Sequence, residues 1–192
     1  MELREMVIED EESNGVYAIS LVTTPATGEE YVMLSEQKEL VKLAEIDNDE
    51  QLMLGLVLAP NQKIYRREGE TEYEIYFSAD TVKKASQLYL QKGFQDKVTF
   101  EHKEDLGGVT MVESWIVADS QKDKSAVYGK EYPVGSWMAV LKVHSKEMWE
   151  EFKESGTITG FSLEGMFTPK KAEAELSQVD KLNYLKSMVN KV

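Results

Sequence analysis

Gly160-Phe161-Ser162-Leu163-Glu164-Gly165 alternates apolar and polar side chains between two glycines. Alternation with a period of two is the mark of a strand, with Phe161 and Leu163 on one face and Ser162 and Glu164 on the other. The bracketing glycines let backbone or substrate approach closely. A serine on the polar face of a strand is ordinarily just a solvated hydroxyl. It gains chemical interest from Thr99-Phe100-Glu101-His102, which carries one of the two histidines of the chain. A serine nucleophile needs a base to accept its proton, and imidazole titrates near neutrality.

Working outward from Ser162, the preceding segment reads as a helix. Ser145 is its N-cap, Met148, Trp149 and Phe152 form its apolar stripe, and Ser155-Gly156 ends it. Trp137 to Val143 is a strand, and the polar stretch from Ala118 to Gly135 is a long loop. Further upstream, Ser78 caps a helix with Val82, Ala85, Leu88 and Tyr89 inside and Gly93 as its stop. Strands are predicted at Val16 to Val22, Leu52 to Leu58, Lys63 to Arg67 and Tyr73 to Phe77. The Lys63 to Arg67 segment is expected to return beside Leu52 to Leu58 after a turn at Pro60-Asn61. The acidic stretch from Glu36 to Glu50 fits either a helix or a surface loop. Beyond Lys170, Leu176, Val179, Leu182, Leu185 and Val189 recur at helical spacing among lysines and glutamates, as in an amphipathic tail helix.

Val98 to His102 and Val109 to Val117 flank Gly107-Gly108. If these glycines make a two-residue turn, Val98 faces Val117, Phe100 faces Trp115 and His102 faces Glu113. A one-residue slip would separate the faces. On this register Glu113 is the first candidate to orient the His102 imidazole. Glu164, on the Ser162 face, is the second. Serine, histidine and glutamate occur in almost every chain, so spacing alone does not select the catalytic reading. His144 lies just before the Ser145 cap and reads as structural. The two histidines have no HExxH-type spacing, Gly107-Gly108 lacks the lysine of a phosphate loop, and no metal or cofactor is expected. Trp115, Trp137 and Trp149 read as core rather than a ligand cage.

The chain of 192 residues has ordinary apolar content, 42%, and a net charge of −13. One sizeable core is therefore expected, and neither nucleic acid nor an anionic membrane suits the charge. Cysteine is absent, which removes disulfides, thiolate catalysis and cysteine-ligated metals. Met1 to Asp10 shows no apolar signal region and no run is long enough to span a bilayer, so an intracellular protein is expected.

The ordered set Glu101-His102, VESWIV (112–117), DKSAVYG (123–129), YPVGSWM (132–138), EMWEEFKESG (147–156) and GFSLEG (160–165) resembles the XkdF-like phage serine proteases. YAISLVTTPA (17–26) and LVLAPNQKIYR (56–66) fit the same pattern. These proteins are similar to the prohead maturation proteases of tailed phages, and through them to the herpesvirus assemblins. The resemblance implies an α+β protein built on a compact, mainly antiparallel β-barrel flanked by helices. It places a protease domain at 16–168, after an N-terminal extension at 1–15 and before a helical tail at 169–192. It implies Ser162 as nucleophile and His102 as base. Assemblins use a second histidine downstream of the serine; none follows Ser162 here, so a carboxylate must take that role. The implied activity is cleavage of scaffold and major capsid precursor proteins inside the prohead, in the host cytoplasm, by a homodimer whose tail is either an assembly signal or a piece it removes from itself. The rivals are a non-catalytic scaffolding or structural head component with a protease-like fold, and a hydrolase of small esters or amides.

Overall fold

The computed structural model describes residues 1–24, the backbone of 32–33, and residues 50–156 and 158–171. It is an α+β structure of twelve strands and two α-helices among the described residues. In chain order these are β1 (Glu2–Val7), β2 (Gly15–Val22), β3 (Val32–Met33), β4 (Leu52–Leu58), β5 (Ile64–Glu68), β6 (Thr71–Tyr76), α1 (Ala79–Gln91), β7 (Val98–Phe100), β8 (Glu104–Asp105), β9 (Val109–Ile116), β10 (Trp137–Val143), α2 (Lys146–Ser155), β11 (Gly160–Met166) and β12 (Thr168–Lys171).

The strands form three open four-stranded sheets, ordered β12-β1-β6-β5, β3-β4-β10-β9 and β11-β2-β7-β8. The expected closed barrel is not seen among the described residues. The strand set is also broader than the 16–168 segment, because β1 pairs antiparallel with β12 and parallel with β6. The first residues assigned to a helical tail, 169–171, are thus strand; the rest of that tail lies outside the described residues, as does nearly all of the acidic stretch at 36–50.

Both helices form where their caps predict. Ser78 accepts the Thr81 N–H, and Lys92 ends α1 ahead of Gly93, whose φ of 71° is left-handed. Ser145 accepts the Met148 N–H, and Gly156 closes α2 at φ 54°. Trp149 and Phe152 are buried. The ring of Tyr89 meets Trp137 edge to face, with centroids 5.6 Å apart, and its hydroxyl donates to the Lys97 carbonyl at 3.2 Å. Burial drives the Tyr89 phenol well above its ordinary range.

The apolar run of β4 lies between β3 and β10 and is buried on both faces over Met53 to Leu58, as a near-continuous hydrophobic strand must be. β10 takes one edge and β3 the other over Met53 and Leu54, and β4 is not joined by β5. That strand instead turns back on β6 through Gly69-Glu70, pairing Ile64 with Ile75 and Glu68 with Thr71. Gly69 supplies the left-handed φ of 60° that a two-residue hairpin loop requires.

The second correction concerns Val98 to Val117. Gly107-Gly108 does not fold β9 back on β7. The reversal comes earlier, at Glu101-His102, and β7 pairs with the short β8, Thr99 opposite Asp105. The chain then crosses to another sheet, where β9 pairs with β10 and Glu113 stands opposite Val140.

Candidate active site

The β11 strand is held at both faces. Phe161 is buried, with its ring against Gly55 of β4, where an added Cβ would stand 2.7 Å from the ring carbons. Gly165 allows the backbone of β2 to come close, since a Cβ there would lie 2.6 Å from the Gly15 carbonyl oxygen. On the polar face, Ser162 is opposite Ser20 and Glu164 is opposite Ala18. Ser20 is in turn level with Thr99 on the far side of β2. Ser162, Ser20 and Thr99 therefore form a row across three strands, because paired residues share a face.

Glu164 reaches across β2. Its carboxylate accepts a short hydrogen bond from the Thr99 hydroxyl on β7, and its path crosses Ala18, whose side chain is only a methyl. The same oxygen, Oε1, lies 3.4 Å from His102 Nδ1. That separation is longer than a formed hydrogen bond but close enough to steer the ring. His102 is Glu164's sole ion-pair partner among the described residues. A carboxylate facing Nδ1 favours the tautomer with its proton there, leaving the Nε2 lone pair to act as a base. Glu164 is largely covered, with 18% of its side chain accessible, whereas His102 keeps 42%. The imidazole thus remains open to an incoming group.

The backbone at His102 is unusual. Glu101 and His102 both have positive φ, 50° and 58°, the conformation that a tight reversal demands and that side chains other than glycine resist. Such residues cost on the order of 1–3 kcal/mol each and persist where surrounding contacts over-determine them. Four contacts do so here. The Lys103 N–H closes the turn on the Phe100 carbonyl at 3.0 Å, and the Glu101 N–H bonds the Leu21 carbonyl at 3.0 Å. The Glu101 carboxylate accepts the Thr23 N–H at 2.6 Å. Ser20 Oγ accepts the His102 N–H at 2.9 Å. β2 is thereby the template on which the histidine turn is built.

The arrangement assigns the predicted residues unequally. Glu164, the second candidate, and His102 come together across β2. Glu113, the first candidate, sits in a different sheet and forms an ion pair of 2.5 Å with Lys124. It does not face His102, because the hairpin that would have brought it there does not form. Ser162 is half-buried on the same face as Glu164, and its hydroxyl makes no hydrogen bond among the described residues, to His102 included. His144 is remote in role: Nε2 meets Thr110 Oγ1 at 3.0 Å, and Thr110 donates to Asp96 at 2.6 Å. The described residues contain no cluster of three or more metal-ligating side chains.

Sequence reasoning missed Ser20 and Thr99. The available signal for Ser20 was a hydroxyl inside an otherwise apolar strand; it is fully buried, and such a group has to be hydrogen-bonded. The long loop at 118–135 is fastened to β9 through Asp123. Asp123 accepts the Trp115 indole N–H at 3.0 Å and the Ser125 N–H at 2.9 Å, capping a short 3-10 turn over Lys124–Tyr128.

A serine on the strand that supplies the carboxylate of a histidine–carboxylate pair is a set of groups that serine hydrolases use. A family profile described as "Putative phage serine protease XkdF" matches residues 39–170. The chain belongs to this family of phage serine proteases. No curated protein and no solved structure shows significant similarity to it.

Proposed function

We propose that this protein is a phage head-maturation serine endopeptidase that cleaves scaffold and capsid precursor segments. The observation that carries the reading is the His102–Glu164 contact at 3.4 Å, made by the strand that presents Ser162 two residues earlier. Ser162 Oγ attacks the scissile carbonyl as His102 Nε2 takes its proton, and the histidine returns that proton to the leaving amine. Water then attacks the acyl-enzyme, giving up a proton to His102, and Ser162 is regenerated. Glu164 holds the imidazole tautomer and offsets its charge while it is protonated. Family membership supports the serine protease chemistry; the prohead setting, a dimeric state and removal of the chain's own tail are further parts of the proposal.

The missing hydrogen bond between Ser162 and His102 favours a second reading, a head component that keeps the fold without the chemistry. Free enzymes often hold their catalytic groups loosely and tighten them around substrate, so the two readings are separated by experiment. The protein is co-expressed with its capsid and scaffold proteins, and intact masses are compared with those of Ser162→Ala. Defined fragments present in the wild type and absent from the variant establish the endopeptidase. Fragments that persist in the variant remove Ser162 from its role. Normal heads with no fragments in either sample leave the structural component as the function.

A further inference from the structure

β11 is an end strand. One edge pairs with β2, and the other carries no strand among the described residues. An end strand presents a row of backbone donors and acceptors that an extended chain can pair with. Beside Leu163 to Phe167 runs an open groove of about 450 Å³, whose opposite wall is one face of the β1–β6–β5 sheet. The register places Arg4, Met6, Tyr73, Ile75, Arg66 and Glu68 on that face. A cavity of about 30 Å³ lined by Ser162 shares Arg66, Phe77 and Leu163 with the groove, so the groove leads to the serine strand.

The charges in the groove are not equivalent. Arg4 is committed, with its Nε 3.1 Å from Glu2 and its guanidinium stacked 4.1 Å above the Tyr73 ring. Arg66 bonds just the carbonyl of its neighbour Tyr65, at 3.0 Å, and makes no ion pair among the described residues. Glu68 lines the same groove two residues along β5 and makes no ion pair with Arg66 among the described residues; in a chain with 35 acidic against 22 basic residues, the Arg66 guanidinium at the junction of groove and serine cavity is thus available to a ligand. Its fork geometry suits a carboxylate.

We propose that the substrate docks as an extended strand along the open edge of β11, and that Arg66 selects an acidic side chain on it. This rests on the endopeptidase reading. The apolar wall of Met6, Ile75 and Phe77 takes a neighbouring apolar side chain, while Ser162 addresses the backbone.

The test uses the full chain with a proteome-derived peptide library, cleavage sites being read by mass spectrometry, alongside labelling of Ser162 by a fluorophosphonate. Wild type is expected to enrich Asp or Glu at one fixed subsite roughly tenfold, in line with one charge-assisted hydrogen bond. Arg66→Glu, whose side chain is exposed and locally bonded, is expected to fold normally and to replace that preference with Lys or Arg; Arg66→Gln is expected to erase it. The same profile in all three proteins, or no acidic preference in wild type, overturns the proposal. Labelled Ser162 with no peptide cleaved also overturns it, while leaving the serine chemistry intact. A folded protein that is neither labelled nor active overturns the endopeptidase reading, and this inference with it.

Discussion

The Oγ of Ser20 accepts the His102 backbone N–H at 2.9 Å, and Ser162 stands directly opposite Ser20 across the β2–β11 pair. One buried residue thus bonds the backbone of His102 and stands opposite Ser162. Ser20 is no rival nucleophile: it is fully buried, and its own hydroxyl is directed at the Thr99 carbonyl at 3.5 Å.

Ser20→Ala leaves the His102 N–H without an acceptor in a turn that already has two positive φ values. The expected cost is about 1–3 kcal/mol, read by denaturant unfolding. If Ser20 is a positioning residue, kcat falls while KM stays near wild type, since the histidine is displaced and the groove is untouched. An unchanged kcat in a folded variant removes Ser20 from the active-site account.

The two candidate carboxylates separate cleanly. Glu164→Gln keeps the shape of the side chain but removes the charge facing His102, and kcat is expected to fall on the order of 10²–10⁴-fold. Glu113→Gln loses an exposed ion pair with Lys124, worth about 0–1 kcal/mol, and its activity is expected to match wild type. The reverse ranking would return Glu113 to the site.

His102→Gly relieves a positive φ at the cost of the side chain. Its thermal midpoint is expected to hold or rise, while cleavage is lost. A marked drop in the midpoint would mean that the turn is held by the imidazole rather than by its backbone hydrogen bonds.

Gly55→Ala puts a methyl 2.7 Å from the Phe161 ring, which forces the ring and β11 to move. A loss of about 1–3 kcal/mol is expected from overpacking, with partial recovery in the double variant carrying Phe161→Leu. A neutral Gly55→Ala would show that the two sheets are not in close register here.

At acid pH the start of α2 is expected to weaken. Its Glu147 carboxylate accepts from its own backbone N–H, and also from the Ser145 hydroxyl, which together hold it below the ordinary value of 4.5. A carboxyl lowered on folding contributes stability that is present above its unfolded value and lost as pH falls through its folded one. As pH falls below the ordinary value of 4.5, the protection of the 146–149 amides relative to their intrinsic exchange rates is therefore expected to fall in wild type; Glu147→Gln is expected to flatten that dependence.

Much of the local structure was legible because its causes are local. Ser78 with Gly93, and Ser145 with Gly156, mark helix ends through hydrogen bonds made within a few residues. The uninterrupted apolar run of Leu52 to Leu58 announces a strand covered on both sides. Alternation around Ser162 separates the core residues Phe161 and Leu163 from the polar pair Ser162 and Glu164. Partnership was less legible. The Lys63 to Arg67 strand was sent to the wrong neighbour, because a strand's edge offers the same donors and acceptors to any other strand. Glu101-His102 carries no strong turn signature, since glutamate resists a left-handed backbone and histidine adopts one only occasionally, and the glycines at 107–108 advertised a reversal that the chain makes elsewhere.

The sequence by itself determined which residues could do chemistry, the helices and most strands around them, and the face on which Ser162 and Glu164 lie. Which carboxylate meets His102 was decided by the tertiary structure alone. The choice depends on β2 lying between β11 and β7, on Ala18 leaving room for Glu164 to cross it, and on Ser20 catching the histidine turn. Each is a contact between segments some 60 to 150 residues apart, with energies that exist only once the sheet has assembled.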